Sequence, residues 1–285
     1  MIYNYLQKPA IEHFIDEAIR EDIGDGDHSS LSSIPADAKN TARLIIKDNG
    51  TIAGLDLAYM IFERIDPKLK IDKFLKDGDK VKTGDIAFEV SGKSRSILSA
   101  ERLVLNCMQR MSAIATKTRK LADLIAHTNT KLLDTRKTTP NFRIPEKWAV
   151  KIGGGSNHRF ALFDMIMIKD NHVDFAGGIE AAIMAANKYI SETKKDLEIE
   201  IETRNIEEVK EVVSVGKVNR IMLDNMSVNQ MKEALALIAN KFQTEASGGI
   251  TEETIVPIAE TGVDYISVGA ITHSYKSLDM SLKAI

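Results

Sequence analysis

Seven lysines and arginines fall between Asp134 and His172: Arg136, Lys137, Arg143, Lys147, Lys151, Arg159 and Lys169. Only four acids share that segment, Asp134, Glu146, Asp164 and Asp170, so it is locally basic in a 285-residue chain of formal charge −3. His158 and His172 are two further potential cations. Converging cations in an acidic protein would concentrate a small, multiply charged anion and offset its desolvation. The same run also reads as a solvated basic face balanced by surface acids. The embedded GGGSNHR, residues 153–159, favours the pocket, because glycines let backbone N–H groups close on an anion.

Other candidates lie further along. EASGGI and SVGAITHS place Ser247, Gly248, Gly249 and Gly269 directly after strand-like runs, where β/α barrels often hold phosphate. Purely steric corner glycines are the other reading. Glu202 and Asp224 could bind sugar hydroxyls, or hold Mg2+ directly or through water. Ion pairs with neighbouring lysines would account for them equally well. Glu200 precedes Glu202 by two residues and shares its face on a strand. Lys169 could form a Schiff base if burial depressed its pKa, but a charged, anion-binding lysine is simpler. Cys107 reads as a small packed residue, Trp148 as packing near the basic loop, and Met165, Met167 and Met222 as core.

The elements that must position these residues fall into two rhythms. In the first half, Ile11, Phe14, Ile15, Ala18 and Ile19 predict an amphipathic helix over 10–20, ending before EDIGDGD. TARLIIKDNGTIAGL predicts a strand and turn, LDLAYMIFERI a helix, and KIDKFLKDGDKVKTGDIAFEVSG short strands with Gly-Asp turns. A long helix is expected from Ser99, read as its N-cap. In the second half, KLLDTRK, FDMIMIKDNH, LEIEIETRN, VNRIMLDNM, FQTEASGGI and VDYISVGAI read as strands. Helical stretches separate most of them, which predicts a parallel sheet, and six repeats favour an open, incomplete β/α barrel. Several runs are nearly continuous in apolar residues, as when both faces are buried. The boundary falls within 110–128, drawn at 1–112 and 113–272.

Composition removes other classes. A pI near 6.1 excludes a dedicated nucleic-acid binder with a basic stripe. The opening MIYNYLQKPAIEHFIDEAIRED shows no apolar core of leader length, and no run approaches eighteen apolar residues. One cysteine cannot form an internal disulfide or a cysteine zinc site. A cytoplasmic protein without membrane partners is expected.

DTRKTTPNFRIPEKWAVKIGGGSNHRFALFDMIMIKDNH, residues 134–172, closely resembles the signature of the quinolinate phosphoribosyltransferase family. EDIGDGDHSS, AGL, SAERLVLNCMQRMSAIAT, IEIETRN, IMLDNM, EASGGI and GVDYISVGAITHS follow in that family's order. The resemblance implies an N-terminal α/β sandwich domain joined to an open β/α barrel, with the chain returning to the first domain over about 273–285. It implies that quinolinate and phosphoribosyl pyrophosphate give nicotinate mononucleotide, pyrophosphate and CO2 with Mg2+, in NAD biosynthesis. Dimers or assemblies of dimers are expected, with Arg102 of SAER serving the neighbouring subunit's site. The resemblance makes Arg136, Lys137, His158, Arg159 and Lys169 the lining for carboxylates and phosphates. Glu202 and Asp224 become the ribose and metal acids, with Lys137 and Lys169 beside them in the catalytic set. Ser247, Gly248, Gly249 and Gly269 become the 5′-phosphate loops, with His273 close behind.

Three departures accompany the resemblance. Asn141-Phe142 follows TTP where the family usually has glycine, Ala113 replaces a usual glycine, and HSS ends the acidic motif. None removes a charged site residue, so fine packing differences are expected. Competing readings are a nicotinate-using relative, a paralogue tied to molybdenum transport, a Lys169 Schiff-base lyase and a non-catalytic phosphometabolite binder. The full cationic set from Arg102 to Lys169 favours a dicarboxylate over the first two.

Overall fold

The computed structural model describes residues 5–285; the first four residues, part of the opening stretch read for a leader, lie outside them. In chain order the first half holds α1 (Lys8–Ile23), α2 (His28–Ser33), β1 (Lys39–Ile46), β2 (Gly50–Thr51), α3 (Leu55–Ile65), β3 (Lys70–Lys73), β4 (Lys80–Val81), β5 (Ile86–Lys93) and α4 (Ser94–Leu124). Next come β6 (Lys131–Leu133), α5 (Arg143–Ile152), β7 (Ile166–Ile168), α6 (Asp170–Ala176), α7 (Ile179–Thr193), β8 (Ile199–Thr203) and α8 (Ile206–Val215). The chain ends with β9 (Arg220–Asp224), α9 (Val228–Ile238), β10 (Gln243–Ser247), α10 (Ile255–Ala259), β11 (Tyr265–Ser267), α11 (Ala270–His273) and β12 (Met280–Ala284). Two compact units result. One comprises the residues up to Arg119 with Thr138–Gly154 and Ala270–Ile285; the other comprises Lys120–Lys137 and Gly155–Gly269.

The first unit is built on a four-stranded sheet in the order β12-β1-β5-β3, antiparallel throughout. Alternation along β1 buries Leu44 and Ile46, and β5 contributes buried Phe88 and Val90. Phe88 meets Phe62 of α3 edge to face at 5.8 Å, a favoured aromatic geometry. β12 pairs with β1 from Ala42↔Ala284 to Ile46↔Met280, so the chain's last strand closes the sheet that its first strand began.

The long helix does not start at Ser99. It runs on from β5 at Ser94, and Ser99 lies inside it, donating to Asp27 Oδ2 at 3.2 Å. Asp27 is itself the cap of a different helix, α2, where its Oδ1 accepts the Ser30 N–H. Asn141, standing where the resemblance anticipates glycine, has φ +60°, and asparagine is among the residues that best tolerate that region. Phe142 then meets Phe14 edge to face at 5.6 Å and underlies the Arg110 guanidinium.

The second unit carries six parallel strands in the order β6-β11-β10-β9-β8-β7. Each of the six strand-like runs contains one of these strands. From β7 to β11 every strand lies beside its successor, and β6 closes onto β11, so β6 and β7 are the two free ends. The expected open, incomplete barrel is the architecture observed. A single parallel bridge, Leu133↔Ser156, places the glycine-rich segment alongside β6 at this seam. Helices α7, α8 and α9 fill the crossovers, with α8 and α9 capped by Asn205 and Ser227. Helices α5 and α6 lie beyond the elements expected from sequence, because each is short and interrupted by charged residues.

The strands are buried on both faces, as expected, but one face is not apolar. Ile199, Ile201, Ile221, Leu223, Ala246 and Ile266 form the hydrophobic side. Registers Glu200↔Arg220 and Glu245↔Met222 put Glu200, Arg220 and Glu245 on the other. Glu200 and Glu245 are completely buried.

Candidate active site

Parallel strands point their C-terminal ends the same way, the end where barrel chemistry collects. Arg136 and Lys137 follow β6, His158 and Arg159 follow the bridge at Ser156, and Lys169 follows β7. Glu202 lies in β8, Asp224 ends β9, Ser247 ends β10 ahead of Gly248 and Gly249, and Gly269 lies two residues beyond β11. Eleven of the thirteen residues named from the sequence therefore belong to this one end of the second unit. Arg102, exposed on α4, and His273, in α11 with Nδ1 2.7 Å from Ser274 Oγ, belong to the first unit. The basic run itself divides: Arg143, Lys147 and Lys151 lie in the first unit, and Arg136, Lys137, Arg159 and Lys169 in the second.

Two guanidiniums, Arg136 and Arg159, lie within electrostatic reach of each other at this end. Arg159 is 8% exposed and donates from Nη1 to the Met165 carbonyl at 3.1 Å. Burial lowers its pKa, and the like charge of Arg136 lowers it further. Arg136 Nε is buried without a hydrogen-bond partner. A bound anion would relieve the repulsion and satisfy that donor together.

Lys169 Nζ donates to Glu202 Oε1 at 2.5 Å, and the acid is the more buried partner. Glu202 pairs with Met222, so Asp224 is its diagonal neighbour on the same face of the adjacent strand. These two carboxylates offer oxygen donors only, which suits Mg2+, a hard cation that keeps several waters and shares substrate phosphates. In the turn after β10, Gly248 has φ +97° with no room for a Cβ, and Gly249 has φ +60° with open space around it.

Beneath these groups lies a buried charged network. His158 Nε2 lies 2.9 Å from Glu200 Oε2 and 3.3 Å from Glu245 Oε2. Arg220 Nη1 reaches Glu245 at 2.9 Å and Glu200 at 3.7 Å, and its guanidinium lies over the Tyr265 ring. Burial disfavours the charged imidazole, but Glu245 and Glu200 outweigh that and raise the His158 pKa to about 9. Burial and the neighbouring Glu245 raise Glu200; Glu245 is lowered because His158 and Arg220 overcome its burial. With the imidazole protonated, His158 and Arg220 offset Glu200 and Glu245, and the four groups are neutral overall. The Arg159 backbone nitrogen lies 2.7 Å from His158 Nδ1, so both ring nitrogens face groups within the protein. His158, Glu200 and Glu245 are grouped closely enough to ligate a cation, but Arg220 already supplies the positive charge.

Glu245, Arg220 and Asp134 were not singled out from sequence. Asp134, fully buried, accepts the His158 N–H at 2.9 Å and the Asn157 side-chain amide at 2.6 Å. Their signal was available: a charge at alternate positions of a strand buried on both faces requires an internal partner.

The quinolinate phosphoribosyl transferase C-terminal domain matches residues 114–283, and its N-terminal domain matches residues 27–112. "Quinolinate phosphoribosyltransferase [decarboxylating] 1b" of Nicotiana tabacum is 49% identical over 94% of this chain and 81% of that protein. The "Probable nicotinate-nucleotide pyrophosphorylase [carboxylating]" of Bacillus subtilis is 41% identical over 98% of this chain and 94% of its own. The crystal structure of NadC from Streptococcus pyogenes superimposes with a TM-score of 0.91 at 37% identity, covering 98% of both chains. With both domains matched in order over most of its length, the chain belongs to the quinolinate phosphoribosyltransferase family.

Proposed function

We propose that this protein transfers the phosphoribosyl group of phosphoribosyl pyrophosphate to quinolinate with decarboxylation. The products are nicotinate mononucleotide, pyrophosphate and CO2, a step of NAD biosynthesis. The observation that carries this reading is the Arg136–Arg159 pair, two close guanidiniums with a buried unpaired donor, beside the acids Glu202 and Asp224. Quinolinate carries two adjacent carboxylates, a good complement to two adjacent guanidiniums.

In this reading Arg136 and Arg159 hold the carboxylates and orient the ring nitrogen toward the anomeric carbon. Lys137 and Lys169 face the phosphates, where negative charge grows as pyrophosphate departs. Glu202 and Asp224 receive the ribose hydroxyls and would hold Mg2+ directly or through water. Mg2+, when bound, neutralises the pyrophosphate leaving group. The Ser247-Gly248-Gly249 turn and Gly269 take the 5′-phosphate through backbone N–H groups, with His273 nearby in sequence. Once the ring nitrogen is alkylated, its positive charge stabilises the electron pair that departing CO2 leaves on the adjacent C2. A proton from solvent then takes that position to give the nicotinate ring. Decarboxylation therefore follows transfer and needs no covalent enzyme intermediate. His158 has a supporting role: its ring engages Glu200 and Glu245 and its backbone leads into Arg159.

A homodimer or larger assembly, with Arg102 of a second copy completing the site, is part of this reading. The exposure of Arg102 supports it. Among the described residues no helix is long and apolar enough to cross a membrane. A cytoplasmic location is proposed with the single buried cysteine in support.

The test is chromatographic detection of nicotinate mononucleotide from purified protein, Mg2+, phosphoribosyl pyrophosphate and quinolinate, with nicotinate run in parallel. Product from quinolinate alone with CO2 released is expected. Product only from nicotinate would remove the dicarboxylate assignment of Arg136 and Arg159, and no product from either would remove the catalytic reading.

A further inference from the structure

Asn225 directly follows Asp224 at the end of β9, and three features converge on it. Its backbone sits in the left-handed region at φ +55°, which turns the chain sharply out of the strand. Its N–H donates to the Ser247 carbonyl at 2.8 Å, fastening this turn to the end of β10. Its side-chain Nδ2 donates to Asp224 Oδ2 at 2.8 Å. The carboxamide also lies over Gly248: a Cβ built at that glycine would run into the Asn225 Oδ1, Cγ and Nδ2 atoms. Gly248 thus clears space for the Asn225 side chain as well as adopting its own positive φ.

We propose that Asn225 is a positioning residue that fixes the rotamer of the Asp224 carboxylate and couples it to the Ser247-Gly248-Gly249 turn. This rests on the reading of Asp224 as an acid for ribose and Mg2+ and of the turn as a phosphate loop. An aspartate at a strand end has a broad, nearly two-fold terminal torsion, and one amide donor aimed at Oδ2 selects a single orientation. The other carboxylate oxygen is thereby presented in a fixed direction. The backbone bond to Ser247 makes the same residue sense the phosphate loop. Phosphoribosyl pyrophosphate is the substrate that touches both sides of this link, so its recognition should depend on Asn225 and quinolinate recognition should not.

The side-chain donor can be separated from the backbone turn. Asn225→Gly keeps the left-handed conformation and deletes the amide; Asn225→Asp keeps the shape and sets a second carboxylate beside Asp224. Steady-state kinetics on the full chain with Mg2+, varying each substrate in turn, should show kcat/KM for phosphoribosyl pyrophosphate about tenfold lower in Asn225→Gly. The quinolinate KM should stay within about twofold, and Asn225→Asp should be worse than Asn225→Gly through like-charge repulsion. Gly248→Ala supplies an independent arm. It should be less harmful in the Asn225→Gly background than in the native one, because the carboxamide it strikes is gone. Native kinetics in Asn225→Gly, equal losses for both substrates, or strictly additive effects with Gly248→Ala would each overturn the proposal. Asp224→Asn measured alongside separates the two levels. If it is impaired while Asn225→Gly is not, only the positioning role fails; if Asp224→Asn keeps native activity, the reading of Asp224 fails and the inference falls with it.

Discussion

Replacing His158 with glutamine tests the buried network in the barrel, because the amide nitrogen stands near the Nε2 position but does not titrate. In the native protein the His158 pKa of about 9 exceeds its ordinary 6.5. Stability from this group is therefore complete below pH 6.5 and is lost as pH rises through about 9. Over that interval the native state holds one proton more than the unfolded chain, so unfolding free energy falls by about 1.4 kcal/mol per pH unit. Integrated over the interval this is roughly 3 kcal/mol, and the ring is buried enough that solvent screening removes little of it. The assay is urea unfolding of native protein and His158→Gln at half-unit steps from pH 6 to 10, read as the difference between the two profiles. Cys107, raised to about 12 by burial, contributes equally to both proteins and cancels. The native profile should fall more steeply, and the gap should change by roughly 3 kcal/mol. Parallel profiles would refute the raised His158 pKa and with it the assignment of Glu200 and Glu245 as the partners that hold a charged imidazole in place.

Three further substitutions address other parts of the molecule. Arg136→Ala should raise the quinolinate KM or lower kcat/KM by an amount equivalent to about 2–5 kcal/mol, measured by steady-state kinetics, with unfolding little changed. Arg110→Ala strands the fully buried Glu146, whose carboxyl burial already raises its pKa, and should cost about 3–5 kcal/mol in urea unfolding, with Arg110→Lys recovering part. Gly153 has an ordinary φ of −68°, but a Cβ there would meet the Ala115 carbonyl and the Thr118 side chain at 2.6 Å. Gly153→Ala should therefore lower the unfolding midpoint through crowding alone, by about 1–3 kcal/mol.

The second unit was legible because its signals are local and repeated. Each strand run ends in a polar or glycine residue at the place where a parallel sheet exposes its C-terminal ends, so Lys169, Glu202, Asp224 and Ser247 could be named from pattern alone. What pattern could not supply was pairing between distant strands. Glu245 and Arg220 are 25 residues apart and meet only because β9 and β10 lie side by side. His158, one of the expected site cations, has its ring committed to Glu200 and Glu245, which depends on the fold rather than on the GGGSNHR spacing. The start of α4 was displaced for a simpler reason. Ser99 has the chemistry of a cap, but the helix continues directly from β5, and the serine's hydroxyl serves Asp27 instead. Likewise the basic run looked continuous in sequence, while the fold assigns its two parts to different compact units.

The seam between β6 and β7 has a consequence for how the barrel could be altered. Along it the backbone N–H groups of three residues in a run of four bond to side-chain carboxylates instead of to a neighbouring strand. His158 donates to Asp134, and Phe160 and Ala161 donate to Asp164, while the Arg159 nitrogen lies against the His158 ring. A complete strand in this place would claim those same donors for its ladder and force alternate residues outward, so His158 and Arg159 could not both remain buried. Closing the ring would thus erase the pair of residues that the gap holds. An engineer seeking a tighter barrel would do better to shorten crossovers elsewhere and leave this edge unzipped, with Asp134 and Asp164 as its clasps.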